Sequence, residues 1–168
     1  MKTKLLAAVL ALGVSFSASA EWSINKHGIP VVSEGKDFNK VMALYGVCDR
    51  EIPVIALGDL SLPADAEGVK LSFKARIDKR KVYQVSAVVN DIGGGMMGVY
   101  LEQDKAAFES LLSGENIRFQ FKADQQGKFV VEKYSLSGIT KAYMDAGALC
   151  DAGFFDDQPA DDNNYFEL

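Results

Sequence analysis

The chain has 168 residues, with 18 Lys and Arg against 23 Asp and Glu, a net charge of −5 and a hydrophobic fraction of 48%. That is enough chain for one domain that buries its own core, and no apolar run reaches the roughly 20 residues that cross a bilayer. Phosphate contacts need clustered Lys and Arg; the one such run, Lys79-Arg80-Lys81, reads as a solvated hairpin turn, so no nucleic-acid ligand is expected.

Lys2 and Lys4 precede an apolar stretch from Leu5 to Val14, which Ala18-Ser19-Ala20 closes. A basic start, a short apolar run and an A-x-A site mark a secretory signal peptide, so residues 1–20 are expected to be removed. The protein is then periplasmic or secreted. No cysteine follows the cleavage point, which argues against a lipid anchor there. Without Lys2 and Lys4, 16 bases face 23 acids, a balance of −7. Nearly all of it lies in residues 151–168, which hold six acids and no base.

Trp22 and Ile24 alternate with polar neighbours and can begin a short strand. Val41 to Val47 and Ile52 to Leu57 read as two strands joined near Cys48-Asp49-Arg50-Glu51. Val69, Leu71, Phe73, Ala75 and Ile77 alternate with Lys70, Ser72, Lys74 and Arg76. That period of two predicts a strand with one buried face. Asp78 to Lys81 turns, and Val82 to Val89 returns as the second arm of a hairpin. Gly93-Gly94-Gly95 then predicts a bulge or tight crossing before Met96 to Leu101, with the two Met in the core or, alternatively, on an adaptable binding surface.

Glu102 to Ser113 reads as a helix capped by Gln103 or Asp104, with Phe108, Leu111 and Leu112 on one face and Gly114 as its stop. Ile117, Phe119 and Phe121 alternate with polar residues in a further strand. Asp124-Gln125-Gln126-Gly127 turns it into a partner from Lys128 to Ser135. Ser137 is expected to cap a second helix, with Ile139, Ala142, Tyr143 and Ala146 at helical spacing. Strands, helix, hairpin and helix without regular alternation predict an α+β fold: an antiparallel sheet with two short helices packed on it. The globular domain is expected over 21–150, followed by the tail.

Two cysteines in an oxidising compartment allow one pairing, Cys48 with Cys150. They are far apart and form no C-x-x-C, so the bond is expected to be a structural staple rather than a redox pair. His27 is the single histidine and is expected at the surface. No G-x-S-x-G elbow is present to give it a nucleophile. One His and two paired Cys leave no zinc set, and the acids of the tail lack the order of a calcium loop. The glycine run has no G-K-[ST] ending to hold phosphates. No catalytic, cofactor-binding or metal residue is therefore assigned, no cofactor is expected, and the chain is read as a non-enzyme.

From Ile92 to Cys150 the order of motifs is more telling. Gly94-Gly95 and Tyr100-Leu101 are followed by Leu111-Leu112-Ser113-Gly114-Glu115-Asn116-Ile117-Arg118-Phe119, and later by Tyr134-Ser135-Leu136-Ser137-Gly138-Ile139-Thr140-Lys141-Ala142-Tyr143. A helix ending in Gly, two strands around a polar turn, then a short Ala-containing helix is similar to the invasion-associated locus B family of periplasmic proteins. Related arrangements resemble accessory or immunity-type proteins of the envelope. The chain departs from the family in its two cysteines and its long acidic tail. The resemblance implies an exported β-rich domain with a binding or envelope role, and it brings no catalytic residue with it.

The tail interleaves aromatics with acids: Phe154, Phe155, Asp156 and Asp157, then Asp161, Asp162, Tyr165 and Phe166. Aromatics suit interface cores and acids steer a basic partner. These eight residues are the candidate partner-binding set. The expected function is a protein-binding domain, as in an inhibitor or immunity protein against a cell-wall hydrolase or toxin. An envelope or virulence factor of the locus B kind is the alternative, and an enzyme acting on cell-wall material is a third.

Overall fold

The computed structural model describes residues 21–34, 40–59, 63–93, 96–122 and 129–154. The predicted leader, residues 1–20, and tail residues 155–168 lie outside that set. Four strands open the chain: β1 (Ser23–Ile24), β2 (Pro30–Glu34), β3 (Lys40–Tyr45) and β4 (Val54–Asp59). A 3-10 turn (Ala64–Ala66) leads to the hairpin β5 (Lys70–Ile77) and β6 (Val82–Val88). Then come β7 (Asn90–Asp91), β8 (Met97–Leu101), helix α1 (Lys105–Leu112), β9 (Asn116–Lys122), β10 (Phe129–Ser135) and helix α2 (Ile139–Asp151).

The strands divide between two antiparallel sheets rather than one. The first has the order β1-β2-β3-β4-β8-β7 and the second β10-β9-β5-β6. They enclose a common core: Val32, Met42, Leu44, Ile55, Leu57 and Val99 of the first with Phe73, Ile77, Ile117, Phe119 and Tyr134 of the second. Phe108 and Leu111 of α1, and Ile139 and Ala142 of α2, join it. The class is α+β, as expected. The partition follows from pairing: β5 takes β9 as its second neighbour, whereas β8 pairs with β4. An ion pair between Lys40 and Glu132 ties β3 to β10 across the two sheets.

Gly94 and Gly95 of the predicted crossing lie outside the described residues, and a close approach falls instead inside β4 and β8. Gly58 and Gly98 are opposite one another in the β4–β8 ladder. A Cβ on Gly98 would lie 2.2 Å from the Leu57 carbonyl oxygen, and one on Gly58 2.2 Å from the Met96 sulfur. Met96 and Met97 are both buried, as expected.

Local caps follow the sequence in one helix and not in the other. Asp104 caps α1 by accepting a 2.7 Å bond from the Ala107 amide. Gln103 instead donates its side-chain amide to the Pro53 carbonyl. Ser137 does not cap α2: the N-cap is Gly138, at φ +82°, with no side-chain bond. The chain turns sharply there: the Ile139 amide donates to the Leu136 carbonyl and closes a turn with the positive φ of Gly138 in its third position, while the Trp22 amide donates to the Ser137 carbonyl. His27 is half-buried rather than exposed, since its turn folds onto Asn25, whose Oδ1 accepts from the His27 and Ile29 amides.

Candidate functional site

Cys48 and Cys150 are bonded, with Cα atoms 5.6 Å apart and 102 residues between them in sequence. Cys48 lies in the exposed connection after β3, and Cys150 in the last turn of α2. The bond therefore fastens the end of the final helix to the first sheet. Beyond it α2 continues to Asp151, and Gly153 at φ +71° ends it. Phe154 follows, its amide bonded to the Leu149 carbonyl and its side chain exposed. It is the one member of the predicted partner-binding set inside the described residues. Phe155, Asp156, Asp157, Asp161, Asp162, Tyr165 and Phe166 all lie outside them.

A different surface emerges from the strand register. In β5 the core residues Phe73, Ala75 and Ile77 point inward, so Lys70, Lys74 and Arg76 point outward. In β9 the same alternation turns Ile117 and Phe119 in and Arg118 out. The register places Arg76 opposite Arg118, and Arg118 opposite Lys133 of β10. Three cations thus stand side by side on three adjacent strands, at the roughly 4.8 Å spacing of a sheet. Lys74 lies one outward position away on the central strand, opposite Gln120 and Gln84. Lys70, Lys74, Arg76, Arg118 and Lys133 are all exposed, and none pairs with a carboxylate among the described residues.

Among the described residues the outward strand positions of this face carry no acid. Its exposed positions include Ser72, Gln84 and Ser86, together with Val82, Val88 and Val131, which are 47%, 40% and 59% exposed. Val82 stands opposite Arg76, Val131 opposite Gln120 and Val88 opposite Lys70, so apolar and cationic groups share the face. At one end lies a groove of about 640 Å³ lined by Arg76, Lys79, Arg80 and Arg118 with Asp78 and Glu115. The Asp78 carboxylate is already engaged, accepting from the Glu115 and Asn116 amides at 3.0 and 2.9 Å. Arg80 donates to Ser113 Oγ at 3.1 Å and leans on the C-terminal end of α1.

Like charges directly opposite in a ladder destabilise a sheet by some tenths of a kcal/mol up to about 1 kcal/mol. The Lys133–Arg118–Arg76 row accepts that cost twice with no compensating acid on its face. Sequence reasoning found only Lys79-Arg80-Lys81 and treated it as a solvated turn. The signal was present in the outward positions of β5 and β9, but the pairing that unites them is not written in either strand.

No protein-family model and no characterised protein sequence matches the chain. The fold does have a solved counterpart. A crystal structure of invasion associated protein B from Bartonella henselae superposes with a TM-score of 0.54 at 14% identity, covering 79% of this chain and 96% of that one. The two share a fold. This agrees with the motif order from Ile92 to Cys150, and at 14% identity the likeness concerns architecture alone. No helix among the described residues is long and apolar enough to cross a membrane.

Proposed function

We propose that this chain is an exported envelope protein that acts by binding rather than catalysis. We assign its docking surface to the cationic outer face of the second sheet, and the partner to a negatively charged lipid surface. The observation that carries the reading is the row Lys133–Arg118–Arg76, flanked by exposed valines, with no acid at the outward strand positions among the described residues. Cations near an anionic membrane contribute about 1 kcal/mol each, and exposed apolar side chains among them favour a lipid interface over a purely polar polymer. The fold it shares with an invasion associated protein fits an exported binding role.

The test is co-sedimentation of the chain lacking residues 1–20 with phosphatidylglycerol-containing and with purely phosphatidylcholine vesicles. Binding is expected to the first only and to weaken with salt. Arg76→Gln with Arg118→Gln should weaken it about 30-fold, from the loss of about 2 kcal/mol. The same pair should melt no lower than wild type, because it relieves a like-charge row. Equal binding to both vesicle types would refute the proposal. So would capture by soluble polyphosphate without any vesicle binding, which would make the partner a polymer. An inhibitor or immunity role through the tail is a separate proposal, resting on residues beyond Phe154.

A further inference from the structure

A sheet edge with unpaired backbone groups invites another strand unless something covers it. Three of the four edges here are managed. The β10 edge is latched at Ser135, whose amide donates to Glu34 Oε1 and whose carbonyl accepts from the Trp22 indole. Strands β1 and β7 have two residues each. The fourth edge, β6, is seven residues long; among the described residues it hydrogen-bonds in a ladder only with β5, although it also approaches β8. From Val82 to Val88 it has no charge and no proline, the usual blocks to strand addition. Its inward residues Tyr83, Val85 and Ala87 remain half-exposed. Beside it runs a groove of about 530 Å³ lined by Tyr83, Val85, Tyr100 and Ala107, with Glu102 and Asp104 on its wall.

We propose that β6 is a homodimerisation edge, and that its occupant is β6 of a second copy running antiparallel about Val85. The sequence of the strand is complementary to itself in that register. Val82 meets Val88, covering two exposed valines; Tyr83 meets Ala87, large against small; Gln84 meets Ser86, polar against polar; Val85 meets itself. The contact is isologous and closed, as a twofold requires. It joins two four-stranded sheets into one of eight strands. It also sets two cationic faces side by side, although the dimer does not depend on what those faces bind.

Sedimentation equilibrium of the chain lacking residues 1–20 should show a mass rising with concentration toward twice the monomer. Gln84 and Ser86 are exposed and oppose one another across the proposed twofold. Gln84→Lys with Ser86→Lys puts like charges at both crossings, whereas Gln84→Lys with Ser86→Glu puts unlike charges there. The second variant should dimerise about 30-fold more tightly than the first, from about 0.5 kcal/mol of each sign at two pairs. Both carry the same change at Gln84, so a folding defect arising there would affect them equally, and circular dichroism checks it. A wild type monomeric at every concentration, or two variants of equal affinity, would overturn the proposal.

Discussion

Removing the Cys48–Cys150 bond tests how the fold is held. The double substitution Cys48→Ser with Cys150→Ser leaves no unpaired thiol. The bond closes a loop with a sequence separation of 102, and in the chain-entropy model such a loop restricts the unfolded chain by about 4.7 kcal/mol. Domains of this size are stable by about 5–15 kcal/mol in total, so the loss is a third or more of the whole. With an unfolding entropy of roughly 0.3 kcal/mol/K for a mature chain of this length, the midpoint should fall by about 15 °C. Trp22 is a built-in reporter, being the only tryptophan, buried, with its indole bonded to the Ser135 carbonyl at 2.8 Å. Its fluorescence would follow the melt. Wild type under reductant should converge on the variant, because Cys48 is exposed to attack. A variant melting within about 3 °C of oxidised wild type would refute the staple as a major source of stability.

The glycine crossing and one buried phenol add two further predictions. Gly98→Ala should destabilise by more than about 3 kcal/mol in urea melts, since its Cβ would meet backbone, whereas Gly58→Ala should lose only about 1–2 kcal/mol because the obstructing Met96 side chain can move. If Gly98→Ala proves the milder of the two, the close approach of β4 and β8 is wrong. Tyr134 is held well above the ordinary phenol range, first by burial and then by the neighbouring Glu132 carboxylate. A raised folded pKa means that the native state keeps a proton the unfolded state loses. The contribution of Tyr134 is therefore whole below pH 10 and declines above it, by up to about 1.4 kcal/mol per pH unit. Urea stability measured from pH 9 to 11 should show this decline in wild type and not in Tyr134→Phe; parallel profiles would contradict it.

Most of the elements were legible in the chain. Alternation marked β5 and β9, and Asp104 was a visible cap because an Asp before an apolar helical face has an amide to satisfy. The start of α2 is not where Ser137 suggests: a serine there looks like a cap, but Leu136 to Ile139 closes a turn that puts Gly138 in the left-handed region and makes it the N-cap. The half-burial of His27 is not legible in its polarity; it accompanies a turn in which Asn25 Oδ1 accepts from the His27 and Ile29 amides. In the β1–β2 arm the alternation of Trp22 and Ile24 points to β1 alone; β2, Pro30–Glu34, has no period of two to mark it because its first three residues are all buried.

The sequence by itself determined most of the longer strands, the inward and outward faces of β5 and β9, the presence of two helices and the one possible cysteine pairing. Each is a local property, carried by period, capping chemistry or the count of two cysteines. Only the tertiary structure decided which strands are neighbours. A period of two says that Arg76 and Arg118 both leave the core, but not that they stand opposite one another; that depends on β5 choosing β9 across some 40 residues of chain. The same choice left β6 without a second partner. The cationic row and the open edge are both products of register, and register is fixed by the packing of the whole core rather than by any one strand.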